Sequence, residues 1–134
     1  VYEKILVAVD GSESSQHALD HAAPLARAFG AKVLVLTVAE DEWDHEDRKA
    51  AARKIVNEAI SAASLEGVET VPLVAFGEPE DQIVEIAEDQ EADLIVVGNR
   101  GLSGLRSFLL GSVSYKVARS AHRPVLIVHR EDEE

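Results

Sequence analysis

Five apolar runs punctuate this chain: EKILVAVD, AKVLVLTVA, TVPLVAFG, DLIVVG and RPVLIVH. Each is continuous rather than alternating, and that constrains the fold most. A strand with one wet face alternates apolar and polar residues, whereas a continuous run is buried on both faces. Between the runs the spacing becomes helical. SESSQHALDHAAPLARAFG puts Ala18, Ala22, Leu25, Ala26 and Phe29 on one face, with Ser12 or Ser14 as cap and Gly30 as stop. Pro24 within it lacks an amide donor and is expected to bend the helix. A second helix, Glu46 to Leu65, carries the stripe Ala52, Ile55, Val56, Ala59, Ile60 and Ala63. EPEDQIVEIAEDQEA opens with Pro79 at its first helical position and turns Ile83, Ile86 and Ala87 inward. SVSYKVARSAH is the fourth helix.

Doubly buried strands alternating with helices predict an α/β fold: a doubly wound, Rossmann-like parallel sheet of five strands, with helices on both faces and right-handed crossovers. The expected order is 3-2-1-4-5, in a single domain over residues 1–134 that closes on an acidic tail, 131–134. Pro72 in the third run cannot donate to a ladder and puts that strand at an edge. This order opens a ligand crevice at the carboxyl ends of strands one and four, which are Asp10-Gly11 and Gly98.

Charge narrows the function. The formal net charge is −12, which repels phosphate backbones and argues against nucleic acid as a partner. EDEWDHED (residues 40–47) and EDEE (131–134) are dense in acid, yet Leu94 to Arg130 holds no Asp or Glu. That stretch carries Arg100, Arg106, Lys116, Arg119, Arg123 and Arg130. No run reaches the ~20 apolar residues of a membrane span and no basic-then-apolar leader opens the chain, so a cytoplasmic protein without a membrane partner is expected. With no Cys, disulfides, thiolate metal sites and Cys nucleophiles are excluded.

The basic stretch also holds four of the chain's eight glycines, at 98, 101, 104 and 111. Glycine lets backbone amides approach a ligand with no Cβ between them. Gly111-Ser112 is expected at the start of the fourth helix, where free amides and the helix dipole favour an anion. Ser112 adds a hydroxyl, and Arg100 and Arg106 add positive charge. A phosphate cradle accounts for this combination; a plain mobile loop does not account for the apolar LRSFLL inside it. The cradle is neither a Walker A loop, because no lysine precedes Ser112, nor a dinucleotide fingerprint, because DGSESS after the first strand lacks the glycine spacing.

Gly98-x2-Gly101-x9-Gly111-Ser112 resembles the ATP-binding motif of the universal stress protein family. The likeness extends to ILVAVDGSESS at one end and RPVLIVH at the other, so it covers essentially the whole chain. The resemblance implies an α/β homodimer that binds ATP, with Mg²⁺ or Mn²⁺ compensating the phosphates. It also implies that Gly98, Asn99, Arg100, Gly101, Gly111, Ser112 and Val113 line the ribose and triphosphate. Asp10 and Val38 would hold the adenosine end. Asn99 stands where the family more often has Ser or Thr. The expected role is a nucleotide-dependent binding or regulatory module in stress response, with little hydrolysis. A slow ATP hydrolase and a nucleotide-free structural dimer are the alternatives.

Other readings explain less. Asp10 as a phospho-acceptor would need an acidic cluster and a functional lysine beside it. His17 and His21 lie one helical turn apart but lack a clear third zinc ligand. No Ser-His-Asp or paired-carboxylate arrangement is assignable, so no catalytic residue is named. The last strand, Val125 to Val128, is an unguarded apolar edge, and antiparallel pairing with a second copy would cover it as a homodimer.

Overall fold

In the computed structural model the apolar runs pair side by side as parallel strands. The structure describes residues 1–39, 45–99 and 107–129, with the backbone alone at 45 and 107–111. The elements are β1 (Lys4–Ala8), α1 (Glu13–Phe29), β2 (Lys32–Ala39), α2 (His45–Ala62), β3 (Thr70–Phe76), α3 (Pro79–Asp89), β4 (Leu94–Gly98), α4 (Ser107–Ser120) and β5 (Val125–Val128). The sheet order is β3-β2-β1-β4-β5, as the sequence predicts. Pro72 indeed lies on an edge strand, opposite Val35 of β2.

Period-two alternation divides the strands between two cores. Ile5, Val7, Val33, Val35 and Val96 face Ala18, Ala22 and Ala26 of α1 and Val56 and Ala59 of α2. Leu6, Leu34, Leu36, Ile95 and Val97 face Ile83 and Ala87 of α3 and Val117 of α4. Residues 5–7 are fully buried, as expected for a central strand with helices on both sides.

The helices differ from expectation in the buried face of α1 and in the start of α4. The buried face of α1 includes Leu19 and Ala23, while Phe29 is 43% exposed and meets Tyr2 edge-on at 5.0 Å. Small residues let α1 lie close to the sheet, which widens the buried stripe beyond the spacing read from its apolar positions. Pro24 is on the exposed side, and the helix continues through it to the left-handed cap Gly30. Finally, α4 begins at Ser107 rather than beside Ser112, so Gly111 and Ser112 lie in its second turn. Glycine inside a helix costs only about 1 kcal/mol against alanine, and here it does not end one. The free first-turn amides therefore belong to residues 107–110, one turn nearer the glycine loop than expected.

Candidate functional site

Four serines and an aspartate organise the carboxyl end of the sheet. After β1 the chain turns at Gly11, whose φ of +88° is a left-handed conformation that glycine adopts without strain. Ser12 N–H donates to Asp10 Oδ1 at 3.0 Å, closing a turn over the carboxylate. Ser12 Oγ accepts from Ser15 N–H at 3.2 Å and caps α1. Ser15 Oγ in turn accepts from Asp10 N–H at 3.1 Å and donates to Ser12 O. Ser14 and Ser15 are each 3% exposed, so these bonds form away from water and hold one geometry. Burial is the main influence on the Asp10 carboxyl and raises its pKa above the ordinary value, against the opposing bonds from Ser12 and Ser15.

Asp10 and Val38, which the resemblance assigns to the adenosine end, line one hollow. Ala8, Leu36, Pro79 and Ile83 share its walls, and its volume is about 30 Å³. That is room for a water or two rather than a nucleoside, so it serves as an apolar floor with one carboxylate at its rim. Pro79 and Ile83 were legible in sequence only as helix start and core.

At the end of β4 the same serine cap meets the other half of the site. A Cβ on Gly98 would fall 2.7 Å from the Ser14 carbonyl oxygen, so the missing side chain lets α1 approach the end of β4. Gly98 O accepts from Ser114 Oγ of α4 at 2.7 Å. Asn99 Oδ1 accepts from Ser14 Oγ at 3.4 Å, and Asn99 Nδ2 stands 3.0 Å from His129 Nδ1. Thus Asp10, Gly98 and Asn99 are brought together around the first turn of α1. Ser112 is exposed, whereas Val113 is half-buried and packs against the core beneath α3 and α4. Arg100 and Gly101 lie outside the described residues, as do Arg106, the acidic residues 40–44 and the tail 131–134. Sequence reasoning missed Ser15, Ser114 and His129 as parts of this end. The cluster SESS was the available signal for Ser15, and nothing in the spacing pointed to the other two.

Among the described residues no group of three His, Asp or Glu side chains could hold a metal ion, and no helix is long and apolar enough to cross a membrane. The geometry offers a carboxylate, an apolar floor and an amide side chain, arranged around a helix N-terminus. These can grip a sugar and a ring. Phosphates would need the segment that follows Asn99.

The chain is similar to known proteins over nearly its whole length. The model of the universal stress protein family matches residues 1–129. The universal stress protein YxiE of Bacillus subtilis is 37% identical, over 96% of this chain and 99% of its own. A universal stress protein crystallised with cAMP is 36% identical with a TM-score of 0.72, over 96% of this chain and 97% of its own. One from Archaeoglobus fulgidus in complex with dAMP is 28% identical with a TM-score of 0.69, over 95% of this chain and 98% of its own.

Proposed function

The chain belongs to the universal stress protein family, and on that premise we propose that it is an adenine-nucleotide-binding module whose ligand is ATP with Mg²⁺ or Mn²⁺. The observation that carries this reading is the shared cap. One helix turn, Ser12 to Ser15, fixes Asp10 at the rim of the hollow that Val38 lines and also holds Asn99 at the start of the glycine loop. A nucleoside laid across that turn would rest its ring on the floor beside Val38 and offer its ribose hydroxyls to Asp10. Relatives of the same fold carry cAMP and dAMP, which have the adenine ring and a phosphorylated pentose in common.

The triphosphate would lie along Gly98 to Gly101 and toward Gly111, Ser112 and Val113, with Arg100 lending charge. A divalent cation supplies charge compensation, which a triphosphate needs beside a protein of net charge −12. The protein's own part is to orient and hold: no lysine precedes Ser112, and no side chain is assigned to activate water. It therefore works as a regulatory binder in the cytoplasm rather than as a fast hydrolase.

The homodimer reading rests on β5. Both β3 and β5 are edges, and Pro72 interrupts the donors of β3 alone. Antiparallel pairing of Val125–Val128 with a second copy covers the edge that no proline guards, and the acidic tail 131–134 discourages further stacking. Mass spectrometry of freshly purified, denatured protein tests the ligand. Retained ATP supports the reading, and ADP with brisk phosphate release on adding ATP moves the protein to the hydrolases.

A further inference from the structure

Asn99 directly follows β4, and β5, α1 and His129 all touch it. Its N–H donates to Val128 O of β5 at 3.1 Å, and its Oδ1 accepts from Ser14 of α1. That leaves the amide nitrogen facing His129 Nδ1 at 3.0 Å. In this amide orientation the NH₂ donates, so Nδ1 presents a lone pair and the ring proton sits on Nε2. We propose that His129 is a positioning residue for the nucleotide loop, clamping Asn99 only while its imidazole is neutral. The inference rests on the nucleotide site proposed above.

Protonation sets an N–H against an N–H. Relief requires the Asn99 amide to turn over, which also reverses the sense of the Ser14 bond. Ser14 is 3% exposed, so that reversal falls on a bond shielded from water. A charge acquired at an exposed histidine is thereby passed to the loop's point of departure and to the cap that holds Asp10.

The elements packed against β5 are β4, α1 and α4. Leu94–Gly98 contributes no titratable side chain. The first turns of α1 carry Glu13 and His17. On α4, Lys116 pairs with Glu80 and Arg119 lies over the Tyr115 ring.

Calorimetric titration with Mg²⁺-ATP at about pH 5 and about pH 8, on either side of the ordinary imidazole range, tests the clamp. The proteins are wild type, His129→Asn and His129→Phe. The His129→Asn variant keeps an acceptor oxygen that cannot be protonated, and it also reports the nucleotide's own titration. One neutral hydrogen bond is worth roughly a two- to tenfold change in affinity. Wild type should lose that factor on acidification beyond any loss in His129→Asn, and His129→Phe should be weak at both values. Equal pH dependence in wild type and His129→Asn overturns the proposal. Nitrogen NMR reads the clamp without nucleotide. The Nε2–H tautomer is expected at the higher pH, with the Asn99 side-chain amide following the imidazole titration, and an Nδ1–H tautomer overturns the clamp. Wild type that binds no ATP at either pH overturns the nucleotide reading, and the NMR result then decides the clamp alone.

Discussion

Gly98 and Ser14 pack so closely that a methyl group on Gly98 would lie 2.7 Å from the Ser14 carbonyl oxygen and 2.9 Å from its carbonyl carbon. Those are backbone atoms of a capped helix and cannot swing aside. The glycine that ends β4 therefore serves helix–strand contact, even though it also opens the nucleotide motif. Gly98→Ala should cost about 1–3 kcal/mol of stability by overpacking. Ser14 Oγ stands in the way as well, but main-chain atoms remain once it is removed, so Ser14→Ala should restore at most part of the loss. Denaturant melts of the two single variants and the double check this, and full rescue in the double would show that the main chain was no obstacle.

Gly111 should behave in the opposite way. It lies inside α4, where alanine is favoured over glycine by about 1 kcal/mol. Gly111→Ala is expected to raise the melting temperature slightly while weakening ATP binding, because its methyl group narrows the approach to the phosphates. A variant that is both more stable and fully competent in calorimetry would remove Gly111 from the cradle.

The fold was legible because binary pattern and chain order suffice for it. Doubly buried runs such as KILVA and LIVVG specify a parallel sheet, and Pro72 marks one edge. The site was half legible. Asp10 and Val38 end adjacent strands, and topology alone brings such ends together. Ser114 and His129 were not legible, because their roles depend on how α4 and β5 lie across the end of β4, which no local spacing encodes. The start of α4 was misplaced because glycine in sequence signals a helix boundary more strongly than it enforces one in structure.

Asp10 links stability to pH. Burial raises its folded pKa above the ordinary carboxylate value, so the folded chain holds the proton more tightly than the unfolded one. Its contribution is most favourable below the ordinary carboxylate range and is lost as pH rises through the folded value. Asp10→Asn cannot ionise and should match wild type in acid, be more stable at neutral pH, and bind nucleotide less well. Asp93 runs the other way. Its carboxylate accepts from Glu3 N–H at 2.8 Å and Lys4 N–H at 3.0 Å, and these bonds lower its pKa. What Asp93 contributes is present above the ordinary range and lost as pH falls through the folded value. Thermal melts of Asp10→Asn and Asp93→Asn from acid to neutral pH should diverge from wild type with opposite slopes.

The β5 edge gives a prediction for assembly. Val125, Leu126 and Ile127 are only half-buried within one chain, although they belong to the apolar run that ends the sheet. Light scattering should find wild type as a dimer and Ile127→Lys as a folded monomer. A wild type that stays monomeric at high concentration would exclude pairing through this strand.

Titration of nucleotide-stripped protein with Mg²⁺-ATP, followed by calorimetry and by thermal melting, tests the central claim most directly. The account predicts saturable binding of one nucleotide per chain, weakened in Asp10→Ala and Gly111→Val. A ligand at about 100 times its dissociation constant stabilises the folded state by about 2.7 kcal/mol, so the melting temperature should rise with ATP concentration. No heat of binding and an unchanged melting temperature at saturating ATP would contradict it.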